Sequence, residues 1–391
     1  MKHPVATGPL GAPRFGLYIH WPFCVSKCPY CDFNSHVSAQ IELPRWRDAY
    51  AREIARAAHD TGPRVLETIF FGGGTPSLMP PDLVAGIIDA ARAAWPVANT
   101  IEITMEANPG SVDAARFRGY RDAGVSRISI GLQAIDDGAL RRLGRMHSAA
   151  EGLRAVEIAQ VTFPRVNLDL IYARQDQTVR QWEDELDTAL RLGTEHLSLY
   201  QLTVEPDTVF AARAAAGQLR GLPDEDRAVS LFEVTQARCE AAGLPAYEIS
   251  NHARPGAECR HNLIYWTGGD YVGIGPGAHG RVTRDGQRVA TEAHRAPADW
   301  LHAVETGGSG NLPDTPLDAA ARVTETLLMG LRLRGGVAWV AIPELFRPDP
   351  AVMGHLLDAG LLHLDDTRLQ ITERGRLLTD GIIAELASHL P

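Results

Sequence analysis

Thiols are scarce in this chain: its 391 residues include five cysteines, too few and too unevenly spread for the disulfide framework of a small secreted domain. Long apolar runs are missing too, since no stretch reaches the roughly 18 residues of a membrane-spanning helix. The opening MKHPVATGPLGAPRFGLYIHW holds no apolar core of signal-peptide length. A cytoplasmic protein without a transmembrane segment is therefore expected. Basic runs are also lacking. With 38 Lys and Arg against 48 Asp and Glu, and a net charge of −10, the chain offers no footprint for a phosphate backbone, and nucleic acid is not expected as a partner. What remains is globular: 45% hydrophobic and 22% charged residues suit a buried core. At roughly 150 residues per domain, the length accommodates two or three domains.

From Leu17 to about Tyr200 short apolar runs alternate with longer segments of helical period. The runs are LYIHW, ETIFFGGG, TIEITMEAN, RISIGLQ, RVNLDLIY and HLSLYQL, a repeated β-α pattern. Among the helix candidates, SVDAARFRGYRDAG reads as opened by an N-cap serine and closed by a glycine. Right-handed crossovers would wind six such units into a parallel, barrel-like sheet, two short of a closed eight-fold barrel. After Tyr200 the regularity fades into helix, the strand candidate AYEISN and the glycine-rich DYVGIGPGAHG. The expected fold is α/β, an incomplete (β/α)6 barrel over residues 17–305 behind an N-terminal extension, 1–16. ETGGSGNLPDTP, which begins at Glu305, reads as a linker, and residues 306–391 as a small C-terminal domain. Its helices, the ribbon LLHLDDTRLQIT and a closing helix resemble a winged helix. The acids Glu344, Asp349, Asp358, Asp365, Asp366 and Glu373 favour a packing or lid module over DNA contact.

Three of the five cysteines sit in HWPFCVSKCPYCDFNSH. Cys24, Cys28 and Cys31 are spaced C-x3-C-x2-C directly after the first strand candidate, on a loop at the strand-end face where α/β barrels carry chemistry. A structural zinc site wants four ligands, which His20 or His36 could complete. An iron–sulfur cubane takes one thiolate per iron, so three thiols leave one iron open to an exogenous ligand. Cys239, inside the helical pattern LFEVTQARCEAAG, reads as a small buried apolar residue.

With Pro29-Tyr30-Cys31 at its end and the glycine-rich FFGGGTPS at residues 70–77, the loop resembles that of the radical S-adenosylmethionine (SAM) superfamily. The resemblance implies a [4Fe-4S] cluster on Cys24, Cys28 and Cys31, with its open iron chelated by SAM. From Tyr18 onward the chain is similar to the branch containing oxygen-independent coproporphyrinogen III dehydrogenase and the HemW-type heme chaperones. That similarity implies SAM contacts by Tyr18, Gly73, Gly74, Thr75, Glu106, Gln133, Arg145 and Asp169. Acids and amides suit ribose hydroxyls, and an arginine suits a carboxylate. One departure stands out: Ala173-Arg174-Gln175 replaces the family's Gly-Leu-Pro, so the turn beside Asp169 must be built differently, although Gln177-Thr178 reappear in place.

Within the branch, the dehydrogenase carries an additional cysteine where this chain has Phe33. CRHNLIYW, residues 259–266, matches the H-N-x-x-Y-W motif associated with heme in the chaperones, which makes His261, Tyr265 and Trp266 heme-site candidates. Cys259 could add an iron ligand or a thioether bond. GIGPGAHG, residues 273–280, could line the SAM pocket or close the sheet as a turn. The resemblance implies a chaperone that binds heme and passes it to heme-accepting proteins, those of the respiratory chain included. Oxidative decarboxylation in heme synthesis is the alternative.

Overall fold

The computed structural model describes residues 14–388 apart from 39, 340–341, 343–345 and 347–348, so most of the expected N-terminal extension lies outside the described residues. Six parallel strands form the centre: β1 (Phe15–Trp21), β2 (Leu66–Gly73), β3 (Val97–Ala107), β4 (Arg127–Gln133), β5 (Arg165–Tyr172) and β6 (His196–Gln201). They are hydrogen-bonded in chain order, and they are the six apolar runs read from the sequence. Helices such as Leu43–Thr61, Pro81–Ala94, Ala149–Thr162 and Val179–Arg191 cover them. β1 is buried almost throughout, as a parallel strand covered on both faces should be. Capping boxes at Ser148/Glu151 and Thr178/Gln181 start two of the helices. The helix Ala114–Ala123 is capped by Asp113, whose side chain accepts from the Arg116 amide, rather than by Ser111. That serine sits in a preceding turn, Pro109–Ser111.

The sheet does not close. Asn251–Ala253 pairs antiparallel with β6 at one edge. At the other, Asp270–Ile274 runs parallel to β1, and His279–Arg284, Gln287–Glu292 and Thr315–Pro316 follow antiparallel. Two readings need correction. AYEISN is a strand only from Asn251, because the chain turns back so that Ala246 bridges His252. DYVGIGPGAHG holds a strand that was not expected, Asp270–Ile274 paired with β1, ahead of the turn that leads into His279–Arg284.

One apolar cluster runs from Phe15 to Val304, and a second, from Val323 to Leu386, forms the core of a smaller unit. Between them the Gly/Pro/Ser-rich stretch returns to the main sheet at Thr315–Pro316. The smaller unit holds the helices Ala319–Gly330, Pro350–Asp358 and Thr379–Ala387. The expected ribbon, Leu362–Leu364 with Arg368–Ile371, gains a third strand, Val337–Ala338. Helix Ala319–Gly330 packs on helix Arg260–Trp266, Glu325 accepts from Arg281 Nε at 2.8 Å, and the Arg334 amide donates to Tyr247 O at 2.9 Å. Among the described residues no helix is long and apolar enough to cross a membrane.

Candidate cofactor site at the strand ends

The chain leaves β1 at Trp21 and folds into the cysteine loop, clamped at its base where Phe23–Cys24 pairs with His36–Val37. Within it the Cys31 amide donates to Cys28 O at 3.1 Å. Asn34 Nδ2 donates to Pro276 O and Arg295 O, both at 2.9 Å. GIGPGAHG is therefore an anchoring turn under the loop and is not among the residues lining the cavity. A side chain at Gly277 would stand 2.5 Å from Asn34 Nδ2.

Cys24, Cys28 and Cys31 are half-buried and unpaired, on the wall of a cavity of about 490 Å³. Thr75 Oγ1 donates to Cys24 Sγ at 3.2 Å, and Arg145 reaches Cys28 Sγ at 3.8 Å while donating to Gly131 O at 2.9 Å. Burial pushes the thiols of Cys24 and Cys31 up. His20 does not join them. Its Nδ1 lies 3.1 Å from Tyr18 Oη and its Nε2 2.9 Å from Asn34 O, and burial lowers its pKa to about 4. His36 Nε2 pairs with Asn34 Oδ1 at 3.2 Å. Both histidines proposed as a fourth zinc ligand are thus hydrogen-bonded to Tyr18 or Asn34.

The glycines of FFGGGTPS act by close approach. Gly73 has φ +108°, and a Cβ there would strike the His20 ring at 2.6 Å. At Gly74 a Cβ would lie 2.9 Å from Phe23 O and 3.0 Å from Cys24 Sγ. The end of β2 thus lies directly against the cysteine loop, tied by Gly74 N to Trp21 O at 2.7 Å and Thr75 N to Phe23 O at 2.9 Å.

The expected SAM residues line the same cavity: Tyr18, Glu106, Gln133 and Asp169 from four strands and Arg145 from the loop after helix Asp137–Arg142, with Gly73, Gly74 and Thr75. Burial, then the charge of Asp169, raises the pKa of Glu106 to about 8. Asp169, itself raised by burial, accepts from Ser129 Oγ at 3.1 Å and Asn167 Nδ2 at 2.7 Å. Gln133 has φ +66°, and its Oε1 is buried with no hydrogen-bond partner. An orphan acceptor in a cavity wall marks a place for a ligand's donor. Three thiols on one wall, acceptors on the next strands and this unpaired amide oxygen fit an iron–sulfur cluster with a nucleoside beside it.

The departure after Asp169 has a structural counterpart. Arg174 is buried and ion-paired with Glu185. Glu185 Oε1 accepts from the Ile135 amide at 2.6 Å, and Arg174 reaches Gln133 O at 3.5 Å. The ion pair holds the turn that carries Gln133.

His261 and Tyr265 also line this cavity, whereas Trp266 does not. His261 is fully buried: its Nδ1 lies 2.7 Å from Thr68 Oγ1 and its Nε2 2.7 Å from Tyr265 Oη. Burial lowers its pKa to about 3. Trp266 Nε1 is buried without a partner. Cys259 is buried, with Sγ 3.7 Å from Glu102 Oε1, and its thiol is pushed up to about 11. It is not among the lining residues. Cys239 lies in the core, as expected of a small apolar residue. The sequence reading missed Phe70, Arg127, Ser129, Asn167, Ser198 and Tyr200 on the cavity wall. Period-two alternation was the available signal: Arg127, Ser129, Gly131 and Gln133 share one face of β4, as Asn167 and Asp169 share one face of β5.

An open parallel barrel with three thiols at its first strand end and a glycine-rich second strand end is the architecture of the radical SAM class. Residues 18–189 match the Radical SAM superfamily, and residues 317–378 match the HemN C-terminal domain. Heme chaperone HemW of Escherichia coli (strain K12) is 39% identical, over 95% of this chain and 97% of its own. The mitochondrial radical S-adenosyl methionine domain-containing protein 1 of Bos taurus is 36% identical, over 97% and 89%. The chain belongs to the HemW family of the radical SAM superfamily. The solved coproporphyrinogen III oxidase (HemN) of Escherichia coli shares the fold, with a TM-score of 0.82 at 21% identity over 96% of this chain and 91% of its own. Membership in the superfamily implies SAM and a [4Fe-4S] cluster as cofactors.

Proposed function

We propose that the protein is a cytoplasmic heme chaperone that binds heme and hands it to heme-accepting proteins, those of the respiratory chain included. It carries a [4Fe-4S] cluster on Cys24, Cys28 and Cys31. The observation that supports this reading is that His261 and Tyr265 of the H-N-x-x-Y-W segment line the same cavity as the three thiols. When bound, the cluster and SAM supply one-electron chemistry. Tyr18, Gly73, Gly74, Thr75, Glu106, Gln133, Arg145 and Asp169 bind SAM: the unpaired Gln133 Oε1 and the Asp169 carboxylate accept from its donors, and Arg145 stands beside Cys28. His261 ligates heme iron once Tyr265 releases its Nε2, with Tyr265 and Trp266 as packing surfaces. Phe33, half exposed on the cavity rim, offers no thiol where the dehydrogenase has its additional cysteine, which argues against decarboxylation.

The test is iron and sulfide analysis with heme titration on anaerobically reconstituted protein. Cys24→Ala should lose the cluster and keep the heme spectrum, whereas His261→Ala should shift the Soret band and weaken binding. Trp266→Ala should weaken binding with little spectral change. Zinc instead of iron after reconstitution, or wild-type heme binding in both His261→Ala and Trp266→Ala, would overturn the reading.

A further inference from the structure

Arg127 opens β4 and lines the cavity, yet it is only 2% exposed. Among the described residues neither a hydrogen bond nor an ion pair reaches its guanidinium. The neighbouring acid Glu102 is committed elsewhere. Its Oε2 accepts from Arg165 at 2.5 Å, and its Oε1 accepts from the amides of Arg260 and His261 at 2.9 and 3.3 Å. Asp169 is held by Ser129 and Asn167. A guanidinium cannot shed its proton, and its five donors form a planar fork that fits a carboxylate. Keeping such a group desolvated without an acceptor is unfavourable unless a ligand supplies one. In sheet register Arg127 pairs with Thr104 and Thr104 with Phe70, and Phe70 stacks on His261 at 5.2 Å and on Tyr18 at 6.2 Å, all three rings lining the same cavity. Asn262, also on the wall, has no side-chain hydrogen bond to a described residue. A buried guanidinium that feels the charges of Glu102 and Asp169 but has no direct acceptor, in a cavity that also carries stacked rings, suits a flat apolar ligand that carries an acid.

We propose that Arg127 binds a carboxylate inside the cavity, namely a propionate of the bound tetrapyrrole. The proposal rests on the heme-binding reading above. The other carboxylate available is that of SAM, and the experiment separates the two. Full-length, cluster-reconstituted protein is titrated anaerobically with hemin and with hemin dimethyl ester, in which both propionates are neutral, and the Soret difference spectrum is followed. Wild type should prefer hemin about tenfold or more, as expected for a charge-assisted, two-pronged contact. Arg127→Gln should lose that preference by weakening hemin alone, and Arg127→Lys, which keeps the charge without the fork, should fall between. The perturbation of the cluster spectrum by SAM should be unchanged in Arg127→Gln.

Equal affinity of wild type for hemin and its ester would overturn the assignment while leaving heme binding intact, and this arm needs no variant to fold. Loss of the SAM response in Arg127→Gln with the hemin preference retained would give the carboxylate to SAM and overturn it as well. No binding of either porphyrin by wild type would remove the heme reading and this assignment together.

Discussion

Arg174→Leu installs the residue that the family places in this turn, and it should still destabilise this chain. Arg174 is 7% exposed and the Glu185 side chain 9%, so losing the cation leaves a buried carboxylate without its counter-charge. Such losses run at about 3–5 kcal/mol. The lower end applies here, because Glu185 keeps the Ile135 amide at 2.6 Å and Gln177 Nε2 at 3.3 Å. For a domain of this size, about 3 kcal/mol corresponds to a fall in Tm of roughly 4–5 °C. Urea unfolding of the isolated protein measures it as a lower midpoint at unchanged slope. Adding Glu185→Leu should restore most of the loss, since removing a buried pair as a unit is close to neutral. Glu185 Oε1, through the Ile135 amide, and the Arg174 guanidinium, through Gln133 O, also steady the Gln133 turn, so the single variant should respond more weakly to SAM. A midpoint change worth under about 1 kcal/mol, or a double variant worse than the single, would refute this account of the turn.

Two further outcomes follow from the cavity wall. Glu106 has its folded pKa raised to about 8 by burial and by Asp169. The stability contributed by its neutral form is therefore fully present below the unfolded value and is lost as pH rises through about 8. Between about pH 5 and pH 8.5, SAM-free wild type should lose thermal stability relative to Glu106→Gln, and a pH-independent difference would count against it. Gly74→Ala would set a Cβ 2.9 Å from the backbone at Pro22 and Phe23 and 3.0 Å from Cys24 Sγ. We expect a displaced cysteine loop, a cost of about 1–3 kcal/mol and a reduced iron content after reconstitution, and full iron loading would contradict the close-approach argument.

The sequence alone determined whatever depends on neighbours along the chain. The six strands of the barrel were legible because each carries its apolar run and is followed by an amphipathic helix. The cysteine loop was legible because its three thiols lie within eight residues. Where partners are distant, tertiary structure decided. Asp270–Ile274 is a strand because β1 offers it an edge, which no local pattern in a glycine-rich stretch can announce. AYEISN looked like a strand until a chain reversal between Ala246 and His252 left only Asn251 of it in one. Ser111 and Asp113 are both good N-caps in isolation, and only the helix start chose between them. Arg174 was visible as a departure, but its consequence depended on Glu185, eleven residues on and buried against the same turn. The cavity itself gathers side chains from six strands and from a helix that begins at Arg260. Whether His261 has a free nitrogen, or Arg127 a partner, is set by contacts across 193 residues to Thr68 and by acids already committed to other donors. Such commitments are properties of three-dimensional packing, because a hydrogen-bonding group can be called free only once every group around it is in place.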